Sequence, residues 1–118
     1  MSAAASPVIY GLSNCDACRA ARKALPGATF RDVRRDPLST QERAALLERF
    51  GDALLNRRAR NWRALDPETQ AQDSETLLAA HPVLMKRPAI VAAGQGFLGW
   101  TAQTRDGLRA AGVLPTES

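Results

Sequence analysis

The pattern that most restricts what this chain can become is a short buried-strand signal followed at once by a two-cysteine helix start. Val8-Ile9-Tyr10 is a β-branched and aromatic run ending at Gly11, and it reads as a first strand closed by a sharp turn. Asn14 is a good N-cap, Cys15 to Leu25 holds many helix formers, and Pro26-Gly27 stops the run. A helix is therefore predicted with Cys15 in its first turn and Cys18 one turn on.

The remaining punctuation completes a mixed α/β pattern. Ala28 to Val33 reads as a second strand, although Arg31 and Asp32 interrupt it. Asp36-Pro37 is a turn. Ser39 with Glu42 forms a capping box, and Leu46, Leu47 and Phe50 supply an apolar stripe, so a helix is expected to about Gly51. Asp52 to Asp73 is irregular, with Leu54-Leu55, an arginine-rich stretch around Trp62, which reads as an apolar anchor, and a break at Pro67. Ser74 to His81 is a short helix closed by Pro82, with His81 read as a helix-end cation. Ala89-Ile90-Val91-Ala92 and Phe97-Leu98 flank Gly94-Gln95-Gly96, a hairpin signature, and a last helix spans about Thr101 to Ala111. The order β-α-β, helical insert, β-β-α predicts a mixed four-stranded sheet, parallel in its N-terminal half and antiparallel in its C-terminal half. That is a thioredoxin-like layout.

With 118 residues and 45% hydrophobic content the chain can build one compact core, and no second domain is expected. The expected division is a disordered tail at 1–7, one domain over 8–113 with a helical insert at about 37–82, and a C-terminal tail at 114–118. The apolar run Ala89 to Ala93 is far short of the roughly 20 residues a membrane span needs, so no membrane partner is expected. Met1 to Pro7 lacks a basic region and a long apolar stretch and does not read as a secretory signal, which leads to the expectation of a cytoplasmic, reducing setting. The net charge of +4, from 16 Lys+Arg against 12 Asp+Glu, is modest and dispersed apart from Arg57, Arg58, Arg60 and Arg63, so nucleic acid is not an expected partner. All the cations except Lys23 and Lys86 are arginine, whose planar fork matches carboxylates and oxyanions.

In a reducing setting, Cys15-Asp16-Ala17-Cys18 points to redox or metal chemistry rather than a structural staple. A structural zinc wants four Cys or His ligands, and beyond the pair the chain offers only His81, so no metal is expected. A disulfide closing so short a loop removes little unfolded-state entropy. A thiol at a helix start, in contrast, is favoured as the nucleophilic thiolate by the dipole and the unsatisfied N–H groups. Cys15 is therefore the candidate nucleophile. Cys18 has two readings: a resolving thiol that attacks a mixed disulfide on Cys15, or a small buried residue sharing a face with Ala21 and Leu25.

Three motifs occur in order: Tyr10-Gly11-Leu12-Ser13-Asn14-Cys15-Asp16-Ala17-Cys18, Ala53 to Arg58 followed by Trp62-Arg63, and His81 to Pro88. With them the chain resembles the ArsC/Spx/YffB family of thioredoxin-fold proteins over about Val8 to Val113, and the YffB branch most, because of its similar Asn-Cys-Asp-x-Cys segment. The resemblance implies that Cys15 is the catalytic cysteine, that Arg87 precedes a cis-proline at Pro88, and that Asn14, Arg58, Arg87 and Pro88 contact an anionic substrate. Of the insert arginines, Arg58 fits the YffB and Spx branches best. A cis-proline opposite the cysteine would offer backbone groups to an extended thiol such as glutathione.

The implied activity is glutathione-dependent reduction of disulfides or glutathione mixed disulfides, with glutathione a co-substrate and no tightly bound cofactor. Two alternatives stand beside it. One is glutathione-coupled arsenate reduction by the same cysteine. Family members with that activity carry an arginine just after the final strand, where this chain has Gly99-Trp100-Thr101, with Arg105 a turn into the helix and read as too distant, and they usually lack a cysteine at the place of Cys18. The other is an Spx-like redox sensor that binds RNA polymerase.

Overall fold

Ile9 is fully buried because both of its neighbouring strands bring apolar residues against it: it lies opposite Phe30 on one side and Ile90 on the other. The computed structural model of the chain describes residues 7–115, which fall into two compact units, one made of the chain up to Asp32 and from Arg87 onward, the other of Val33–Lys86.

The first unit holds β1 (Val8–Gly11), α1 (Asp16–Ala24), β2 (Thr29–Asp32), β3 (Ala89–Ala92), β4 (Gln95–Leu98) and α6 (Ala102–Ala110). The strands form a four-stranded sheet in the order β2-β1-β3-β4. β1 runs parallel to β2 and antiparallel to β3, and β4 pairs antiparallel with β3. The expected mixed sheet is therefore present with its expected halves. Ala21 and Leu25 of the α1 segment and Leu108 of α6 pack with Ile9, Ile90 and Ala92 into the core.

Register decides what gathers at the C-terminal end of β1. Gly11 lies opposite Asp32, Tyr10 opposite Ala89, and Ala89 opposite Leu98. The Gly99 N–H donates to the Pro88 carbonyl at 2.8 Å, tying the end of β4 to the start of β3. One end of the sheet thus collects the β1–α1 turn, Asp32, Pro88 and Gly99.

Some boundaries differ from those read in the sequence. The hairpin turns on Ala93 and Gly94, with φ of 52 and 74, so Gln95 and Gly96 join β4; two positive-φ residues give the twist that suits a two-residue hairpin loop. Leu114 is buried in the core rather than part of a tail. After α6 the chain reverses through Gly112, with φ of 79, and the Val113 and Leu114 N–H groups both return to the Leu108 carbonyl, which carries Leu114 back to the sheet. Of the two tails expected, residues 1–6 and 116–118 lie outside the described residues.

The second unit is helical: α2 (Thr40–Phe50), α3 (Arg60–Arg63), α4 (Pro67–Gln70) and α5 (Ser74–Ala80). The Ser39–Glu42 capping box is closed in both directions. The stretch read as irregular contains a 3-10 turn at Gly51–Leu54 and the short α3 and α4, which are too short to show a periodic signal. Arg43 joins α2 to α5, its Nε donating to both oxygens of Glu75 and its Nη1 to the Leu38 carbonyl at 2.6 Å. Leu55 bridges to Met85, flanked by the Asn56 N–H to the Leu84 carbonyl and the Lys86 N–H to the Leu54 carbonyl. Trp62 is half-buried with the Arg57 guanidinium over its ring. His81 caps the end of α5.

Candidate active site

Cys15 is itself the N-cap of α1, where Asn14 was predicted. The reason lies in the preceding turn: the Cys15 N–H donates to the Leu12 carbonyl at 3.2 Å, so Ser13 and Asn14 become the two central residues of a β-turn and the helix starts one residue later. Asn14 is exposed on this turn. Cys15 has extended backbone and is half-buried, while Cys18 is completely buried. Both thiols are free.

The two sulfurs differ sharply in acidity. Burial by itself pushes the Cys15 thiol up, but hydrogen bonds from the Cys18 N–H, the Cys18 thiol, the Arg87 side chain and the Ala17 N–H together outweigh it and hold the thiol below its ordinary value. The neutral sulfur makes no regular capping bond; what the helix start offers is stabilisation of the ionised form. Cys18 moves the other way. Its burial dominates, the hydrogen bond and charge of Cys15 add to it, and the Leu12 N–H and the Arg87 charge offset only part, leaving Cys18 pushed up to about 12. Near neutral pH the arrangement is one thiolate-prone sulfur beside one retained proton.

The structure thus brings together Cys15, Cys18 and Arg87 in the first unit. Arg87 is half-buried, its peptide bond to Pro88 is cis, and the Pro88 side chain is fully buried. Arg58 belongs to the second unit, where it is exposed and its backbone N–H donates to Asn56 Oδ1. Among the described residues no group of three or more His, Cys, Asp or Glu side chains could hold a metal ion. Arg105, a turn into α6, has its Nη1 donating to the Trp100 carbonyl at 3.2 Å and its guanidinium 5.8 Å from the Trp100 ring centre.

One participant escaped the sequence reading. Leu12 touches both cysteines through its backbone, its carbonyl receiving the Cys15 N–H and its N–H acting on the Cys18 sulfur. Backbone roles carry no residue-type signal, so only the turn geometry reveals them.

A family model for the ArsC family matches residues 10–105. The chain belongs to the ArsC family. A Haemophilus influenzae relative described as an uncharacterized protein is 33% identical over 101 residues, covering 78% of this chain and 89% of the relative. Among solved structures, a YffB protein superposes with a TM-score of 0.77 at 26% identity, covering 90% of this chain and 98% of that one. The solution structure of an arsenate reductase (ArsC) related protein from Brucella melitensis gives a TM-score of 0.69 at 26% identity, covering 91% and 97%. The ArsC-family match takes in the turn, both cysteines, Arg87 and Pro88 in one stretch. The thioredoxin-like fold and the likeness to YffB and ArsC-related proteins read from the sequence therefore hold.

Proposed function

We propose that this ArsC-family protein is a thiol oxidoreductase that reduces disulfides or glutathione mixed disulfides, with glutathione as co-substrate. The observation that carries the reading is the opposite displacement of the two thiols: Cys15 lowered and reachable, Cys18 raised and buried. A nucleophile must ionise near neutral pH, and a resolving thiol must wait until the first attack is complete.

In the first step the Cys15 thiolate attacks a substrate sulfur, forming a Cys15 mixed disulfide and expelling the other half as a thiolate. The negative charge of the Cys15 thiolate is then gone, and with it that charge's share in holding the Cys18 proton. Cys18 gives its proton to the departing thiolate and attacks the Cys15 sulfur, expelling the second half as a thiolate that takes a proton from solvent and leaving a Cys15–Cys18 disulfide. Two glutathione molecules return the pair to the dithiol and leave as glutathione disulfide. Alternatively, glutathione resolves the mixed disulfide directly. Arg87, hydrogen-bonded to Cys15, is suited to an anionic substrate group such as a glutathione carboxylate.

Arsenate reduction would begin with the same thiolate. Trp100 stands where arsenate-reducing relatives of the resemblance carry an arginine, which favours thiol substrates over a small doubly charged oxyanion. The deciding experiment compares reduction of a glutathione mixed disulfide with reduction of arsenate by the same purified protein, in glutathione, beside Cys15→Ser. Turnover of the mixed disulfide that Cys15→Ser abolishes is expected. Turnover of arsenate alone would overturn the proposal.

A further inference from the structure

The carboxylate at the end of β2 has no part in the mechanism above, yet it is bonded to the turn that carries the thiols. Asp32 Oδ2 receives both the backbone N–H of Ser13, at 2.9 Å, and the Ser13 hydroxyl, at 2.7 Å. Ser13 is the first central residue of the turn closed by the Cys15 N–H on the Leu12 carbonyl. The pairing of Gly11 with Asp32 in the parallel register brings the carboxylate to this place. We propose that Asp32 is a positioning residue for the thiol pair: by clamping Ser13 it fixes the Leu12–Cys15 turn and, through both ends of Leu12, the placement of the two sulfurs.

The geometry argues for a clamp. Both bonds converge on one oxygen from two donors of one residue, which fixes that residue's backbone as well as its side-chain rotamer. Without it, an exposed turn of Ser13 and Asn14 is left with two long bonds, the Cys15 N–H to the Leu12 carbonyl at 3.2 Å and the Arg19 Nη1 to the Ser13 carbonyl at 3.4 Å. Cys15 sits at the helix start, where a small displacement removes the sulfur from the Ala17 and Cys18 N–H groups. Cys18 and Arg87 act on Cys15 through hydrogen bonds, and the paired Arg19 and Asp16 of α1 lie beside the turn, the Arg19 Nη1 donating to the Ser13 carbonyl at 3.4 Å.

Position and charge make opposite demands, which gives the test its sign. A carboxylate acting only through its charge would disfavour a nearby thiolate, so neutralising it would make Cys15 more acidic and faster to alkylate. A carboxylate acting as a clamp does the reverse. Asp32→Asn separates the two, because a single carboxamide oxygen can receive both Ser13 donors while the charge is lost.

The inference rests on the reading of Cys15 as the working thiol, and its primary readout needs no substrate. Iodoacetamide labelling of Cys15 is followed across pH in the reduced full-length protein, its Asp32→Ala, Asp32→Asn and Ser13→Ala variants, with urea unfolding to establish that each folds. Asp32→Ala is expected to slow labelling at neutral pH roughly five- to tenfold and to move its midpoint upward, as loss of two hydrogen bonds implies. Asp32→Asn should stay within about twofold of the parent, and Ser13→Ala, which keeps the N–H bond, should slow labelling about two- to threefold. Should Asp32→Ala not fold, Ser13→Ala against Asp32→Asn decides. Faster labelling in both Asp32 variants, or parent-like labelling in Asp32→Ala and Ser13→Ala, overturns the clamp. A parent without disulfide reductase activity whose labelling still follows this order would overturn the proposed function and leave the clamp standing.

Discussion

Gly11, the last residue of β1, leaves the space that the Cys18 sulfur fills: a Cβ on Gly11 would overlap Cys18 Sγ and lie 3.3 Å from its Cβ. Its backbone φ is not in the left-handed region, so the requirement for glycine here is one of packing. Gly11→Ala should destabilise the protein by about 1–3 kcal/mol, the usual cost of overfilling a packed core. Adding Cys18→Ala removes the obstructing sulfur, so the double variant should be more stable than the sum of the two single changes. Urea unfolding of the four proteins measures this coupling, and a Gly11→Ala protein as stable as the parent would refute the packing argument.

How much of this was legible beforehand depends on whether a feature is local. The Ser39–Glu42 capping box, the β-branched strands and the CxxC segment announce themselves because residue type and spacing carry the physics. Asp32 shows the opposite case. In the sequence it interrupts a strand; only the parallel register against Gly11 turns it into the partner of Ser13. The identity of the helix N-cap failed for a related reason. Asn14 has the better side chain, but the Cys15 N–H is already committed to Leu12, which shifts the helix start by one residue. Leu114, expected in a tail, is buried in the core because the reversal at Gly112 is a backbone event.

Among the described residues, Arg87 is the side chain from outside the helix start whose hydrogen bond lowers the Cys15 thiol. In Arg87→Ala the Ala17 and Cys18 contributions remain and burial still opposes ionisation, so the alkylation midpoint should rise. The parent should titrate below the ordinary thiol value of about 8.5 and Arg87→Ala closer to it. Arg87→Lys should fall between the two, since an ammonium keeps the charge and loses the fork. Coincident profiles for parent and Arg87→Ala would show that the helix start alone sets the acidity.

Opposite shifts in the two thiols also make opposite contributions to stability against pH. Cys15 has a lowered folded pKa, so its contribution is present above about pH 8.5 and is lost as pH falls through the folded value. Cys18 has a raised one, up to about 12, so its contribution is present below the unfolded pKa and is lost as pH rises. Between about pH 8.5 and about pH 12 the unfolded chain has released the Cys18 proton and the folded chain has kept it, which lowers stability. Urea unfolding under reductant at about pH 8 and about pH 10.5 should therefore show a steeper alkaline loss in the parent than in Cys18→Ala. Equal losses would show that the buried thiol is not the group responsible.

Substitution of each cysteine in turn separates attack from resolution. Cys15→Ser replaces a thiolate-prone sulfur with a hydroxyl that does not ionise near neutral pH, so disulfide reduction should fall by at least about a hundredfold, since the thiolate is the nucleophile. Cys18→Ser leaves Cys15 with its Arg87 and Ala17 hydrogen bonds, so the first attack survives. What is lost is the internal route to product release, and glutathione takes over that step from solution. Cys18→Ser should therefore retain part of the activity, rise steeply with glutathione concentration, and accumulate a Cys15 mixed disulfide visible by mass spectrometry when glutathione is scarce. The parent under the same limitation should accumulate the Cys15–Cys18 disulfide instead. Complete and equal loss in both variants at high glutathione would mean that the internal disulfide is obligatory and that glutathione cannot reach the Cys15 adduct.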